Sequence, residues 1–184
     1  ILMLTKGLNV YHNEYELLID KLRRLLSKEG LTNIDISVVG GPCLANNLAN
    51  KVHTNVIIAN KNLKTVKWLQ EILSTNYYHI SISNDVIGVE VCAAIKNIFS
   101  MIIGTAKGLN KKENDKKQKE TNYLNTEAVL IPQSIHEMEL FVSFLKGKKE
   151  TVKGLAGIGD LYVSAAGGRN SLMGSYLGEG LLYS

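Results

Sequence analysis

The pattern of apolar residues changes once along this chain, near residue 84, and this change constrains the fold more than any other feature. Before it, short apolar runs typical of buried strands alternate with stretches of helical periodicity. After it, the pattern is helical and shows no convincing strand. Because alternating strands and helices indicate an α/β sheet, we predict an α/β unit over residues 1–84 and an all-helical unit over residues 85–184.

The predicted elements follow from the length of each apolar run and from the residues that bound it. Pro42 is placed to open a short helix, because proline suits the first helical turn. Asn84 is placed to cap the first helix of the second unit. The expected strands are residues 1–5, 34–39, 54–59 and 77–83, and the expected helices are residues 14–29, 42–50, 63–73, 85–107, 127–145 and 171–177.

Composition and charge narrow the class of protein. With 184 residues and 45% apolar content, the chain can bury a substantial core. Its net charge is +4, and the lysines of the low-complexity segment 110–120 are interleaved with acids but not with aromatic residues. That pattern favours a solvated surface loop over a nucleic-acid patch. Cys43 and Cys92 show neither a paired motif nor metal-ligand spacing, so we expect reduced thiols, no metal site and a cytoplasmic location.

One apolar stretch, residues 86–106, has nearly the length of a membrane-spanning helix. However, Glu90, Lys96 and Asn97 lie in its middle, where charged and polar groups are costly in hydrocarbon. A helix that is apolar on most sides is also what the core of a globular domain requires. We therefore predict a buried helix and no membrane span.

A dinucleotide-binding fingerprint is missing from the α/β unit. Such a site opens with a strand, a Gly-x-Gly-x-x-Gly turn and a helix that receives the pyrophosphate. No such turn precedes the helical unit, and the glycines at 154, 157 and 159 have different spacing and no strand before them. We therefore expect these 184 residues to be part of a longer protein.

Lys96 is the clearest candidate for a chemical role. On a helix its neighbours one and two turns away include Val89, Cys92, Phe99 and Ile103. An ammonium group among such residues is partly desolvated, which lowers its pKa and suits a general acid–base group. A lysine whose stem packs on apolar surface while its head reaches water fits the same spacing equally well.

Four other residues also admit a structural and a functional interpretation. Arg169 and Asn170 follow two glycines before a predicted helix, where an anion would be favoured, but the residues alone favour a glycine turn with Asn170 as an ordinary N-cap. Asp160 follows a glycine-rich run and could be a capping residue, with Ser164 one helical turn later. Lys6 ends a predicted parallel strand, at the edge where α/β sheets bind ligands, or is a surface lysine.

Three sequence motifs of this chain resemble those of the NAD(P)-dependent glycerol-3-phosphate dehydrogenases, which reduce dihydroxyacetone phosphate to sn-glycerol 3-phosphate. The resemblance runs from Leu4 to Leu181, nearly the whole chain. The segments are Thr5-Lys6-Gly7, Ala94-Ile95-Lys96-Asn97, and Gly154-Leu155-Ala156-Gly157-Ile158-Gly159-Asp160-Leu161 with the nearby Gly167-Gly168-Arg169-Asn170. Gly41-Pro42-Cys43-Leu44-Ala45 also resembles a family segment, with Cys43 in place of a hydroxyl residue.

The resemblance implies a role for each matching residue. Lys96 would be the catalytic proton donor and acceptor. The implied substrate contacts are Lys6, Gly41, Cys43, Asn97, Asp160, Ser164, Gly168, Arg169 and Asn170, and the implied cofactor contacts are Lys6, Ala45 and Arg169. The cofactor would be NAD or NADP, and no residue is implied to hold a metal.

The resemblance also implies an architecture and a setting. Residues 1–84 would be the late strands and helices of a Rossmann-like nucleotide-binding domain, and residues 85–184 an incomplete helical substrate domain. The protein would act on a small molecule as a homodimer, without nucleic acid or a membrane span, and its product would feed phospholipid synthesis. Two alternatives stay open: a related 2-hydroxyacid or sugar-acid dehydrogenase, and a non-catalytic helical dimerisation module.

Overall fold

The computed structural model describes residues 1–117 and 124–181. The surface loop predicted over the low-complexity segment 110–120 is wrong for residues 110–117, which are helical, and the rest of that segment lies outside the described residues. The strands are β1 (Leu2–Met3), β2 (Leu8–Tyr11), β3 (Glu14–Leu17), β4 (Ser37–Gly40), β5 (Thr54–Ala59) and β6 (Tyr78–Ser83). The helices are α1 (Leu18–Lys28), α2 (Ala45–Ala49), α3 (Leu63–Leu73), α4 (Val86–Lys117), α5 (Leu124–Phe144), α6 (Lys149–Val152), α7 (Asp160–Gly167) and α8 (Arg169–Glu179), with a π-helical turn at Leu155–Gly159.

A four-stranded sheet forms the first part of the structure, in the order β1-β4-β5-β6. The β1–β4 and β5–β6 pairs are parallel, and the β4–β5 pair is antiparallel. All four predicted strands are present, and the predicted bounds of β5 and α3 are confirmed. Within the described part of the chain every element after β6 is helical, so the predicted change from a sheet with helices to helices alone is also confirmed.

The predicted helix over residues 14–29 is wrong in its first turn, which belongs to a β-hairpin. Strand β3 pairs antiparallel with β2, and Leu8 lies opposite Leu17. The two residues between these strands, His12 and Asn13, both have positive φ, as a tight hairpin turn requires. Helical spacing of the later leucines concealed this turn, and α1 begins only at Leu18.

Two predicted helix starts are also corrected. Helix α2 begins at Ala45 rather than at Pro42, because Leu44 is still extended. Helix α4 is capped by Asp85 rather than by Asn84, since an Asp85 carboxylate oxygen accepts the Gly88 N–H at 3.0 Å. The same carboxylate accepts the backbone N–H of Lys148 at 3.0 Å, which ties the start of α4 to the chain before α6.

Helix α4 is the centre of the helical part. Its segment Val86–Asn114 is long and apolar enough to cross a membrane by length and composition, but 67% of its most apolar window is buried inside the fold. Its buried side chains form one core with residues from the sheet, α5 and α7, as predicted for a core helix. The main core residues are Val89, Cys92, Ile95, Phe99, Ile103, Met138, Val142 and Leu161.

Glycines let α8 lie directly against α4. A methyl group added at Gly104 would overlap the carbonyl oxygen of Ser171, and one added at Gly174 would overlap that of Met101. The two helix backbones therefore touch without intervening side chains. This contact fixes the start of α8, and with it Arg169, relative to the helix that carries Lys96.

We expect Gly104→Ala to lower the free energy of unfolding by about 1–3 kcal/mol, because the new methyl group overpacks a backbone contact. Gly167→Ala is the matched control, since a methyl group there meets nothing within 4 Å. Denaturant unfolding of both variants checks this expectation. Equal stability of the two variants would contradict the close α4–α8 contact.

Candidate functional site

Three charged side chains from distant parts of the chain meet at one point. The Asp160 carboxylate accepts a hydrogen bond from Lys6 Nζ at 3.2 Å through one oxygen and one from Lys96 Nζ through the other. Lys96 Nζ also donates to Ser164 Oγ at 2.9 Å. The structure therefore brings together Lys6, Lys96, Asp160 and Ser164, four residues that the sequence analysis selected separately.

Local structure places Asp160 where both lysines can reach it. The π-helical turn Leu155–Gly159 runs directly into α7, so Asp160 is the first residue of α7 and Ser164 lies one turn later on the same face. No element was predicted between residues 145 and 171, because glycines in this segment indicate a turn by propensity. A methyl group at Gly157 would overlap the backbone of Val152, so the glycine serves close packing instead.

The two lysines differ in how deeply their side chains are buried. The side chain of Lys96 is 8% exposed and that of Asp160 5%, whereas that of Lys6 is 36% exposed. Burial lowers the pKa of the Lys96 ammonium, the nearby charge of Asp160 raises it, and the charge of Lys6 lowers it. The outcome is a lowered pKa, in the direction that the apolar neighbours of Lys96 predicted.

An open cleft of about 710 Å³ begins beside this cluster. Its lining comes from helix α2 and the residues before it, from α4, from α7 and from the start of α8. No acidic side chain is among its lining residues in the described part of the chain. Those residues are Cys43, Leu44, Ala45, Asn46, Asn47, Asn97, Ser100, Ser164, Gly167, Gly168, Arg169 and Asn170.

Arg169 contributes a positively charged side chain to the lining of this cleft. Among residues 1–117 and 124–181, its guanidinium has no hydrogen-bond or ion-pair partner. Helix α8 begins at Arg169 with Gly168 as its N-cap, not near Ser171 as predicted, so the expected capping role of Asn170 is wrong. The Arg169 side chain lies in the first turn of α8, where an anion would be favoured.

Not every predicted site residue lines the cleft. Gly41 is buried behind it with φ of 108°, and a methyl group there would lie 3.3 Å from the Val56 Cα atom. Cys43 does line the cleft, and burial raises the pKa of its thiol. Lys6 is absent from the lining and reaches the site through Asp160.

Three cleft residues with polar side chains were not selected from the sequence: Ser100, Asn46 and Asn47. Ser100 follows Lys96 by four residues, so helical spacing alone could have found it. For Asn46 and Asn47 no signal was available beyond their position directly after Ala45. Among the described residues, no group of three His, Cys, Asp or Glu side chains could hold a metal ion.

Comparison with known proteins gives one consistent result. A family model described as NAD-dependent glycerol-3-phosphate dehydrogenase C-terminus matches residues 85–183. The NADP(+)-dependent glycerol-3-phosphate dehydrogenase of Archaeoglobus fulgidus is 30% identical over 181 residues, which are 98% of this chain and 51% of the relative. A glycerol-3-phosphate dehydrogenase [NAD(P)+] of Coxiella burnetii is 35% identical over 153 residues, 82% of this chain and 43% of the relative.

Solved structures of similar proteins share the fold. The crystal structure of glycerol-3-phosphate dehydrogenase from Coxiella burnetii matches with a TM-score of 0.77 and 32% identity, over 98% of this chain and 50% of that one. The glycerol-3-phosphate dehydrogenase of Plasmodium falciparum matches with a TM-score of 0.79 and 26% identity, over 96% and 46%. The chain thus spans about half the length of the curated relatives it matches.

We expect Asp160→Asn to lower the pKa of Lys96 further. The amide still accepts a hydrogen bond, but it removes the negative charge that opposes desolvation of the ammonium. An NMR titration of the lysine side-chain carbons measures this shift, and Asp20→Asn, on exposed α1 surface, is the control. An unchanged or raised Lys96 pKa in Asp160→Asn would refute the pairing.

Proposed function

This chain belongs to the family of NAD(P)-dependent glycerol-3-phosphate dehydrogenases, and from that premise we propose that it carries the substrate site of an oxidoreductase. The reaction would interconvert dihydroxyacetone phosphate and sn-glycerol 3-phosphate. One observation carries the proposal: Lys96, buried in its pair with Asp160, donates to Ser164, and Ser164 lines the same cleft as Arg169 and Asn170. An acid–base group thus adjoins a cleft that contains an anion-binding group.

Lys96 is the proposed proton donor. In the direction of reduction, Lys96 Nζ gives a proton to the carbonyl oxygen of the substrate as that oxygen gains negative charge. In the reverse direction the neutral amine takes the proton back. Asp160 keeps enough positive charge on Lys96 for donation, while burial and Lys6 make the proton easier to release.

The start of α8, where it lines the cleft, is the proposed phosphate site. A guanidinium can bind two phosphate oxygens at once, and the N-terminus of α8 adds backbone N–H groups. Asn97, one residue after Lys96, lines the same cleft and would orient a substrate hydroxyl or carbonyl. Holding the phosphate and the reacting carbon at fixed points supplies the orientation that proton transfer needs.

The cofactor is proposed to bind in the same cleft because the lining side chains suit its chemistry. The cleft contains amide side chains and a guanidinium but no carboxylate in its described lining, which suits a phosphate-bearing dinucleotide. Lys6, Ala45 and Arg169 are the residues that would contact NAD or NADP, and Lys6 would contact the substrate as well. When bound in its reduced form, that cofactor supplies the hydride. Residues 1–84 would form the late part of its domain, and the pyrophosphate-binding turn would come from sequence outside these 184 residues.

We expect Lys96→Met in the complete enzyme to lower kcat on the order of 10²–10⁴-fold, because methionine has no proton to give. Folding should persist, since Lys6 still pairs with Asp160 and methionine suits an apolar helix. Steady-state kinetics with thermal melts test this. Lys107→Met is the matched control, because Lys107 is on the same helix and bonds the Ala165 carbonyl oxygen at 2.7 Å. A kcat within about threefold of wild type would exclude Lys96 as the proton donor.

For Arg169→Lys we expect KM for dihydroxyacetone phosphate to rise by about tenfold or more, since lysine keeps the charge but loses the paired donors. Thermal stability should change little, because the guanidinium is exposed and bonds no group within residues 1–117 and 124–181. Arg23→Lys, on the exposed surface of α1, serves as control. An unchanged KM in Arg169→Lys would remove the residue from the phosphate site.

A further inference from the structure

Glu90 is a buried acid for which the proposed chemistry has no use. It lies on α4 and is 3% exposed. One of its carboxylate oxygens accepts the backbone N–H of Ile19 at 3.1 Å, and the backbone N–H groups of Ile19 and Leu18 both lower the pKa of the carboxyl. The other oxygen, Oε2, has no partner in the described part of the chain. Burial raises the pKa of Glu90 to about 7, with nearby Asp20 raising and Arg23 lowering it.

This carboxyl group caps a helix that has no cap of its own. Leu17 occupies the N-cap position of α1, and no side chain at that position bonds the first turn. The first N–H groups of a helix need acceptors and favour a negative group. Glu90 supplies the acceptor from 71 residues away in sequence, so it ties the start of α1 to α4.

The start of α1 in turn holds the segment that carries Lys6. Leu8 pairs with Leu17 across the hairpin, immediately before α1. A Cβ atom on Gly7 would lie 3.8 Å from Leu18 Cδ1, so the backbone of Gly7 rests beside the first residue of α1. Gly7 has φ of 141°, a conformation that side-chain-bearing residues rarely adopt. The direction in which Lys6 leaves this turn therefore depends on where α1 begins.

These contacts form a closed path that begins and ends on α4. The path runs from Glu90 to the start of α1, and from there to Gly7 and Lys6. Lys6 bonds Asp160, and Asp160 also bonds Lys96, which follows Glu90 by six residues on α4. We propose that Glu90 is a positioning residue that holds Lys6 against Asp160 by capping α1. The inference rests on the proposed function, in which Lys6 contacts substrate.

The test is a double-mutant cycle in the complete enzyme, with KM for dihydroxyacetone phosphate as readout. Glu90→Leu removes the acceptor and keeps the volume, Glu90→Gln keeps an acceptor oxygen, and Lys6→Met removes the positioned group. We expect Lys6→Met and Glu90→Leu each to raise KM by about tenfold. In the Lys6→Met background, Glu90→Leu should add less than about twofold, because coupled residues are not additive. Glu90→Gln should restore KM to near the wild-type value.

Each outcome supports or overturns the proposal. Asn62→Ala is the control for the general loss of a helix cap, since the Asn62 side chain accepts the Lys64 N–H at 3.1 Å at the start of α3. The KM of the Asn62→Ala variant should equal that of the wild type. If Glu90→Leu does not fold, Glu90→Asp withdraws the oxygen by one methylene and should raise KM in the same way. A rise of KM in Lys6→Met but not in the Glu90 variants, or full additivity, overturns the positioning role alone. An unchanged KM in Lys6→Met overturns the substrate contact of Lys6 and this inference with it.

Discussion

The buried ion pair between Lys96 and Asp160 is the interaction on which the other features of the site depend. Desolvating two charges costs several kcal/mol for each ion, and their attraction repays that cost only when the geometry is good. Asp160 therefore has to be held by rigid surroundings. The π-helical turn, α7 and the long helix α4 provide them, and Ser164 adds a hydrogen bond to the same ammonium.

Close backbone packing is the means by which the fold brings distant residues to this pair. Gly104 and Gly174 let α8 touch α4, and Gly157 lets the π-helical turn touch Val152 at the end of α6. Larger residues at these positions would move α7 and α8 outward, and Arg169 would move with α8. The distance between the proposed acid–base group and the proposed phosphate site is thus set by backbone contacts, not by flexible side chains.

Elements that show in the spacing of apolar residues, and residues that lie in sequence motifs, could be selected from the sequence. The four strands of the main sheet, α3 and the apolar core helix α4 followed from the spacing of apolar residues. The hairpin turn at His12 and Asn13 was missed, because helical spacing of nearby leucines outweighed a weak turn signal. The π-helical turn was missed because glycines indicate a loop when their packing partner, here the backbone of Val152, is unknown. Asn46 and Asn47 were missed because a cleft between two helices exists only in three dimensions.

The charges of the site lead to a last consequence of the proposed function. Lys6, Lys96 and Asp160 together carry one net positive charge, and Arg169 adds a second. A phosphate dianion would balance these two charges, so the bound site would be close to neutral and could exclude water at little electrostatic cost. A negative group near Lys96 also raises the pKa of its ammonium, because opposite charge favours the charged form. A phosphate bound in the same cleft would therefore raise the pKa of Lys96, against the lowering that burial causes, and would favour the charged form that donates the proton during reduction.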